Sequence, residues 1–155
     1  MKSFLAKVWK LLNLPKGVQL FFMRFFQNQF LVGVTGIIFN EKSEVLLFKH
    51  TYRKHSWSLP GGYLKSGEHP TEGLEREIKE ESNLVVSVDS SLKTRTDRTS
   101  ARLDLCYIGV FIGGEFIPSQ EVSDYGFFSQ EKMPLLRSNQ VFLIEEALQQ
   151  KRFNK

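Results

Sequence analysis

The rhythm of apolar and polar positions changes several times along the chain, and each change predicts an element. Within residues 3–13, Phe4, Leu5, Val8, Leu11 and Leu12 fall on one side at helical spacing, with Lys2, Lys7 and Lys10 opposite. Pro15 interrupts the pattern. Val18, Phe21, Phe22, Phe25 and Phe26 then recur at the same period, so a pair of helices is expected over 3–28. From Phe30 to Phe39 the run FLVGVTGIIF turns β-rich, and its Gly33 and Gly36 suggest a close backbone approach or a bulge. Residues 41–43 read as a turn and 44–49 as the returning strand. The segment HTYRKHSWSLPGG predicts a short strand entering a tight loop at Pro60, Gly61 and Gly62. Pro70 suits the first turn of a helix that runs to about Ser82, because the N–H it lacks has no partner there anyway. Strands are expected over 84–88, 103–112 and 125–128. A last helix is expected from Gln140 to about Gln150, capped by Ser138 or Asn139, with Lys151 and Arg152 near its negative end. Strands with two interspersed helices predict an α+β domain, without repeats or a domain-sized linker.

Composition narrows this little: 155 residues with 41% apolar and 25% charged side chains suit one folded domain with a small appendage. No stretch approaches the roughly 18 to 20 apolar residues that span a bilayer, and no secretory cleavage pattern follows the N-terminus. The single Cys106 cannot form an internal disulfide. A reduced, cytoplasmic setting is therefore expected, at most peripheral to a membrane, with Cys106 a buried inert thiol.

Charge changes the picture more, through its distribution. The net +4 conceals residues 1–40, which carry Lys2, Lys7, Lys10, Lys16 and Arg24 and no acid. The acids gather elsewhere: Glu68, Glu72, Glu75, Glu77, Glu80 and Glu81, six of 17, lie within 14 residues. Glu77, Glu80 and Glu81, spaced i, i+3 and i+4, share one face of the helix expected there, where like charges repel. Such a face is either simply solvated or held by a divalent cation, since carboxylate oxygens suit Mg²⁺. The preceding segment favours the cation: Gly61 and Gly62 permit close backbone approach, and Arg76 is placed to pair with Glu68 and pin the loop to the helix.

Read together, residues 62–84, GYLKSGEHPTEGLEREIKEESNL, resemble the Nudix box, a glycine, five residues, Glu, seven residues, then Arg-Glu-apolar-x-Glu-Glu-x-Gly-apolar. Gly62, Glu68, Arg76, Glu77, Ile78, Glu80, Glu81 and Leu84 match it. The remaining position, usually Gly, is Asn83; it ends the helix, where a left-handed residue is wanted and Asn is the next best choice. WSLPGG upstream and EVSDYGFFSQEKMP downstream are also similar to the family, so the resemblance covers about residues 30–150. It implies a Nudix-type α/β/α sandwich around a mixed β-sheet, with 1–28 a basic amphipathic helical extension and 29–155 the hydrolase domain.

The resemblance also implies a chemistry: water attacks a phosphorus of a pyrophosphate in a nucleoside diphosphate linked to another moiety, with Mg²⁺, or Mn²⁺ in its place. By resemblance, Glu77, Glu80 and Glu81 and the Gly61 carbonyl are metal ligands; Glu77 is also a candidate general base. Glu68, Arg76 and Gly62 orient the loop. A base or further ligand from beyond the box is expected at Glu121, with Glu115 and Asp124 behind it. Arg53, Lys54, Trp57, Arg95 and Arg98 are candidate substrate contacts, within basic stretches that also contain His55, Lys93 and Arg102; charged hairpins are otherwise solvated and Trp57 otherwise core. ADP-ribose hydrolases of the family usually carry a Pro about fifteen residues after the box, where Thr99 and Ser100 stand here. The substrate is thus left open among nucleotide sugars, dinucleotides, nucleoside triphosphates and RNA 5′ ends. The competing class is an inactive nucleotide-sensing or adaptor module. For residues 1–28 the expectations are packing on the domain or in a homodimer, an anionic membrane surface, or RNA.

Overall fold

The structure, a computed structural model, describes residues 15–52, 56–97 and 100–153. The chain divides into two compact units, Met1–Phe30 and Leu31–Lys155. In the first, α1 (Lys16–Phe26) begins behind Pro15, whose fixed φ leads into the first turn. None of its residues is buried. The helix expected over 3–13 lies outside the described residues. No helix among the described residues is long and apolar enough to cross a membrane.

The second unit is a mixed sheet between two helices. Its strands are β1 (Leu31–Phe39), β2 (Val45–His50), β3 (Trp57–Ser58), β4 (Gly61–Tyr63), β5 (Val85–Asp97), β6 (Arg102–Gly113) and β7 (Val122–Phe128); its helices are α2 (Pro70–Ser82) and α3 (Ser138–Phe153). The path runs β3-β2-β1-β6-β5, with β4 beside β1 and β7 beside β2. Among the described residues, only the pairing of β1 with β6 is parallel. The two-residue period of a strand explains why β1 and β2 carry apolar side chains on both faces. Val34, Ile38, Leu46 and Phe48 pack with Leu74 and Ile78 of α2 on one face. Ile37, Phe39, Val45 and Leu47 pack with Leu143, Ile144 and Ala147 of α3 on the other. Both layers of the expected α/β/α sandwich are present.

Local chemistry sets the element ends. Asn40 closes the β1–β2 turn, its side-chain oxygen accepting from the N–H groups of Lys42 and Glu44. His69 precedes Pro70, and its N–H donates back to Glu72 at 3.3 Å, satisfying a group the first turn of α2 leaves open. Asn83 ends α2 at φ 62° and ψ 7°, the left-handed position expected of it, and its Nδ2 donates to the Glu115 carbonyl.

Elsewhere the boundaries differ from the sequence expectation. β5 runs to Asp97, far beyond residue 88, because its outer half pairs with β6 while Lys93 faces α3 and Arg95, Thr96 and Asp97 face the cleft rather than the core. Residues 61–63, expected as loop, form β4 by pairing with Gly33–Thr35. The glycines of β1 mark no bulge: its register with β6 is unbroken, and Gly36 is approached by the Leu74 side chain instead.

Candidate active site

A cleft of about 1170 Å³ opens along β1, β4 and β6. Its acidic wall comes from α2, which presents Glu77, Glu80 and Glu81 beside Gly61 and Gly62 of β4. The spacing of these glutamates puts them on one helical face, and burial of Leu74 and Ile78 on the adjoining stripe, which Glu81 continues at i+7 and i+3, fixes which way that face points. Glu121, from the loop before β7, lines the same cleft and accepts a hydrogen bond from the Tyr52 hydroxyl at 3.0 Å.

Arg76 organises the acidic wall. Its Nε and Nη2 donate to the two oxygens of Glu68, its Nη2 also to the Tyr63 carbonyl, and its Nη1 reaches Glu77 at 2.9 Å and Glu80 at 3.0 Å. The Lys65 amide donates to Glu68 as well. Hydrogen bonds from Arg76 and then from that amide hold the Glu68 carboxyl at about 2, well below its ordinary 4.5. The same contact with Glu68 raises Arg76 above its usual range. Glu80 is also lowered, first by its hydrogen bond from Lys65 Nζ at 3.2 Å.

These residues suit a divalent cation by donor and by space. The donors are hard carboxylate oxygens, the class that Mg²⁺ and Mn²⁺ prefer. Gly62 leaves the room: a Cβ there would stand 2.7 Å from Glu77 Cγ and closer still to its carboxylate. As the side chains stand, no group of three His, Cys, Asp or Glu among the described residues closes around a common point. Arg76 and Lys65 hold Glu80 instead. With the Glu80 side chain 54% exposed, solvent screens both pairs, and neither holds it strongly against a cation.

The facing wall carries the residue that sequence reasoning missed. Asp104 of β6 is nearly buried, and its two oxygens accept from Arg95 Nη2 (2.9 Å), Arg102 Nη2 (3.0 Å) and Thr35 Oγ1 (3.1 and 3.2 Å). Its sequence signal is weak: one acid among apolar residues in a strand, flanked at period two by Arg102. Arg95 thus lies in the cleft, whereas Lys93 turns to Glu146 and Phe142 of α3. Trp57 does not line the cleft; it packs edge-on against Phe128 at 5.0 Å. Glu115 and Asp124 are exposed and line no part of it. Arg53, Lys54 and Arg98 lie outside the described residues. Cys106 is buried beside Asp104, and loss of hydration, then that negative charge, push its thiol up to about 12.

Known proteins resemble this chain in sequence and in fold. A family model described as NUDIX domain matches residues 29–149. An ADP-ribose pyrophosphatase of Methanocaldococcus jannaschii is 30% identical over 126 residues, 77% of this chain and 74% of that protein. An 8-oxo-dGDP phosphatase of Mus musculus is 27% identical over 139 residues, 85% of this chain and 42% of that longer protein. Among solved structures, a NUDIX hydrolase from Nitrosomonas europaea superposes with a TM-score of 0.73 at 19% identity, over 83% of this chain and 76% of that one. The match spans the sheet, both helices and every described residue of the acidic wall, and so the chain belongs to the Nudix hydrolase family.

Proposed function

We propose that this protein hydrolyses the pyrophosphate bond of a nucleoside diphosphate linked to a further group, with Mg²⁺ held by Glu77, Glu80 and Glu81 and the Gly61 carbonyl. The observation that carries the reading is the shared cleft: the α2 glutamates, bare glycine backbone and Glu121 all line it. A bound divalent ion would neutralise the polyanionic substrate against this acidic wall, stabilise developing charge and lower the pKa of bound water. The protein's own groups do the rest. Arg76 locks the Glu68 loop onto α2 and so fixes where the Gly61 and Gly62 backbone faces the glutamates. Glu80 turns from Arg76 and Lys65 to join Glu77 and Glu81. Glu121, oriented by Tyr52, takes the proton of the attacking water.

The named relatives act on ADP-ribose and on 8-oxo-dGDP. Both are nucleoside diphosphates or their conjugates, and this class is the one proposed here, although no proline stands at Ser100. The test is Glu81→Gln assayed with Mg²⁺ on a nucleotide panel that the parent cleaves. A folded variant with nearly all turnover lost is expected; wild-type turnover would sink the ligand assignment. A parent that binds nucleotides and cleaves none would favour the sensing-module reading instead.

A further inference from the structure

We propose that Arg95 and Arg102, braced by Asp104, form a phosphate subsite for the phosphoryl group of the substrate that the α2 glutamates do not hold. The inference deepens the pyrophosphohydrolase reading of the same cleft. Three observations point to a ligand. The first is charge: a side chain as enclosed as Asp104, 9% exposed, needs a counter-ion, and one guanidinium suffices. It has two, together with the Thr35 hydroxyl, so the trio of Arg95, Arg102 and Asp104 carries one net positive charge, beside Asp97 and Arg137 in the same lining. Each arginine is 28% exposed and lines the cleft, and Arg95 also donates from Nη1 to the Asn139 carbonyl at 3.3 Å, so it is the outer edges of the two guanidinium groups that face the open space.

The second observation is the space kept for Arg102. Gly33 lies opposite Asp104 in the parallel register, and a Cβ on it would stand 2.6 Å from Arg102 Cζ. A glycine inside a strand is destabilising by roughly 0.5–1 kcal/mol, and here it gives the guanidinium its bed. The third is the ring beneath it: Arg102 lies over Tyr63, 4.8 Å from the centroid, and the Tyr63 carbonyl accepts from Arg76. Tyr63, Gly33 and Asp104 therefore stand in one row across β4, β1 and β6. Two strand spacings, about 10 Å, separate the backbone beside the glutamates from that beneath the arginines. Two planar forks held at fixed positions match phosphate oxygens in a way lysines would not.

The test is binding by calorimetry in EDTA, with inorganic pyrophosphate and a nucleoside 5′-diphosphate as probes, so that the glutamates hold no metal. Arg102→Gln and Arg95→Gln should each weaken binding at least tenfold, and Arg102→Lys less. Gly33→Ala, which alters no charge but displaces the guanidinium, should weaken it several-fold. Glu131→Gln, an exposed change outside the cleft, should leave it within twofold. Where the parent turns over substrate with Mg²⁺, Arg102→Gln should raise KM tenfold or more with kcat within threefold. Gln variants that melt like the parent and bind within twofold of it overturn the subsite, as does a parent that binds neither probe. A parent that binds both probes and hydrolyses nothing leaves the subsite standing and refutes the catalytic reading.

Discussion

Gly62→Ala isolates the geometry of one carboxylate from the chemistry of its removal. The backbone of Gly62 is not among the positive-φ glycines, so alanine meets no conformational penalty there. The new methyl does meet Glu77: it would lie 2.7 Å from Cγ and nearer to the carboxylate, whereas carbon contacts settle at about 3.5–4.0 Å. The carboxylate must retreat by roughly 1 Å, a displacement that in a preorganised site costs on the order of 100-fold in rate, or about 2.7 kcal/mol. The stability change should be small, since Glu77 can swing toward the cleft. The assay is kcat/KM with Mg²⁺ on a substrate of the parent, together with a thermal melt. Glu77→Asp in the same protein shortens the obstructing side chain and should recover part of the lost rate. Gly61→Ala is the contrast: its methyl would strike the Val34 carbonyl in the sheet, so that variant should lose stability first. Activity of Gly62→Ala within threefold of the parent, with Tm unchanged, would refute the claim that Glu77 works from a seat against bare backbone.

Other consequences are equally open to measurement. Glu68 has a folded pKa of about 2, below its ordinary 4.5, so its contribution to stability is complete above pH 4.5 and is lost as pH falls toward 2. Glu68→Gln should flatten the decline of Tm across that window and lower activity only in part; a slope equal to the parent's refutes the Arg76 clasp. Leu74 is fully buried between α2 and β1, and Leu74→Ala should cost about 3 kcal/mol, roughly 6–12 °C in Tm, with a shift under 2 °C counting against the packing described. With its pKa raised to about 12, Cys106 is protonated at pH 8 and should resist iodoacetamide until the protein unfolds; labelling of native protein within minutes would contradict its burial.

What the sequence disclosed of this site follows from range. Glu77, Glu80, Glu81, Arg76 and Glu68 lie within 14 residues, where helical spacing and loop length fix neighbourhood directly. The left-handed turn at Asn83 is local too. The facing wall is not. Thr35 and Asp104 meet across 69 residues through the parallel pairing of β1 with β6, a choice that strand patterns do not encode. The sequence therefore offers Arg95 as a substrate contact or a solvated hairpin charge, and Gly33 as a close approach or a bulge, with nothing to join either to Asp104. The length of β5 was hidden for a related reason: a strand whose outer half faces a polar cleft lacks the apolar alternation that marks a core strand.

The placement of β1 between the two walls also bears on how such a protein can diversify. At residues 33–35 this strand pairs with β4 on one edge and β6 on the other. The glutamates and their loop depend on contacts along the first edge, and Asp104 with its arginines on contacts along the second. Changes to residues 95 and 104 touch neither Glu68 nor Arg76, whereas Arg102 rests on Tyr63, whose carbonyl accepts from Arg76, and so links the two walls. The backbone of one strand is the seam between the two walls.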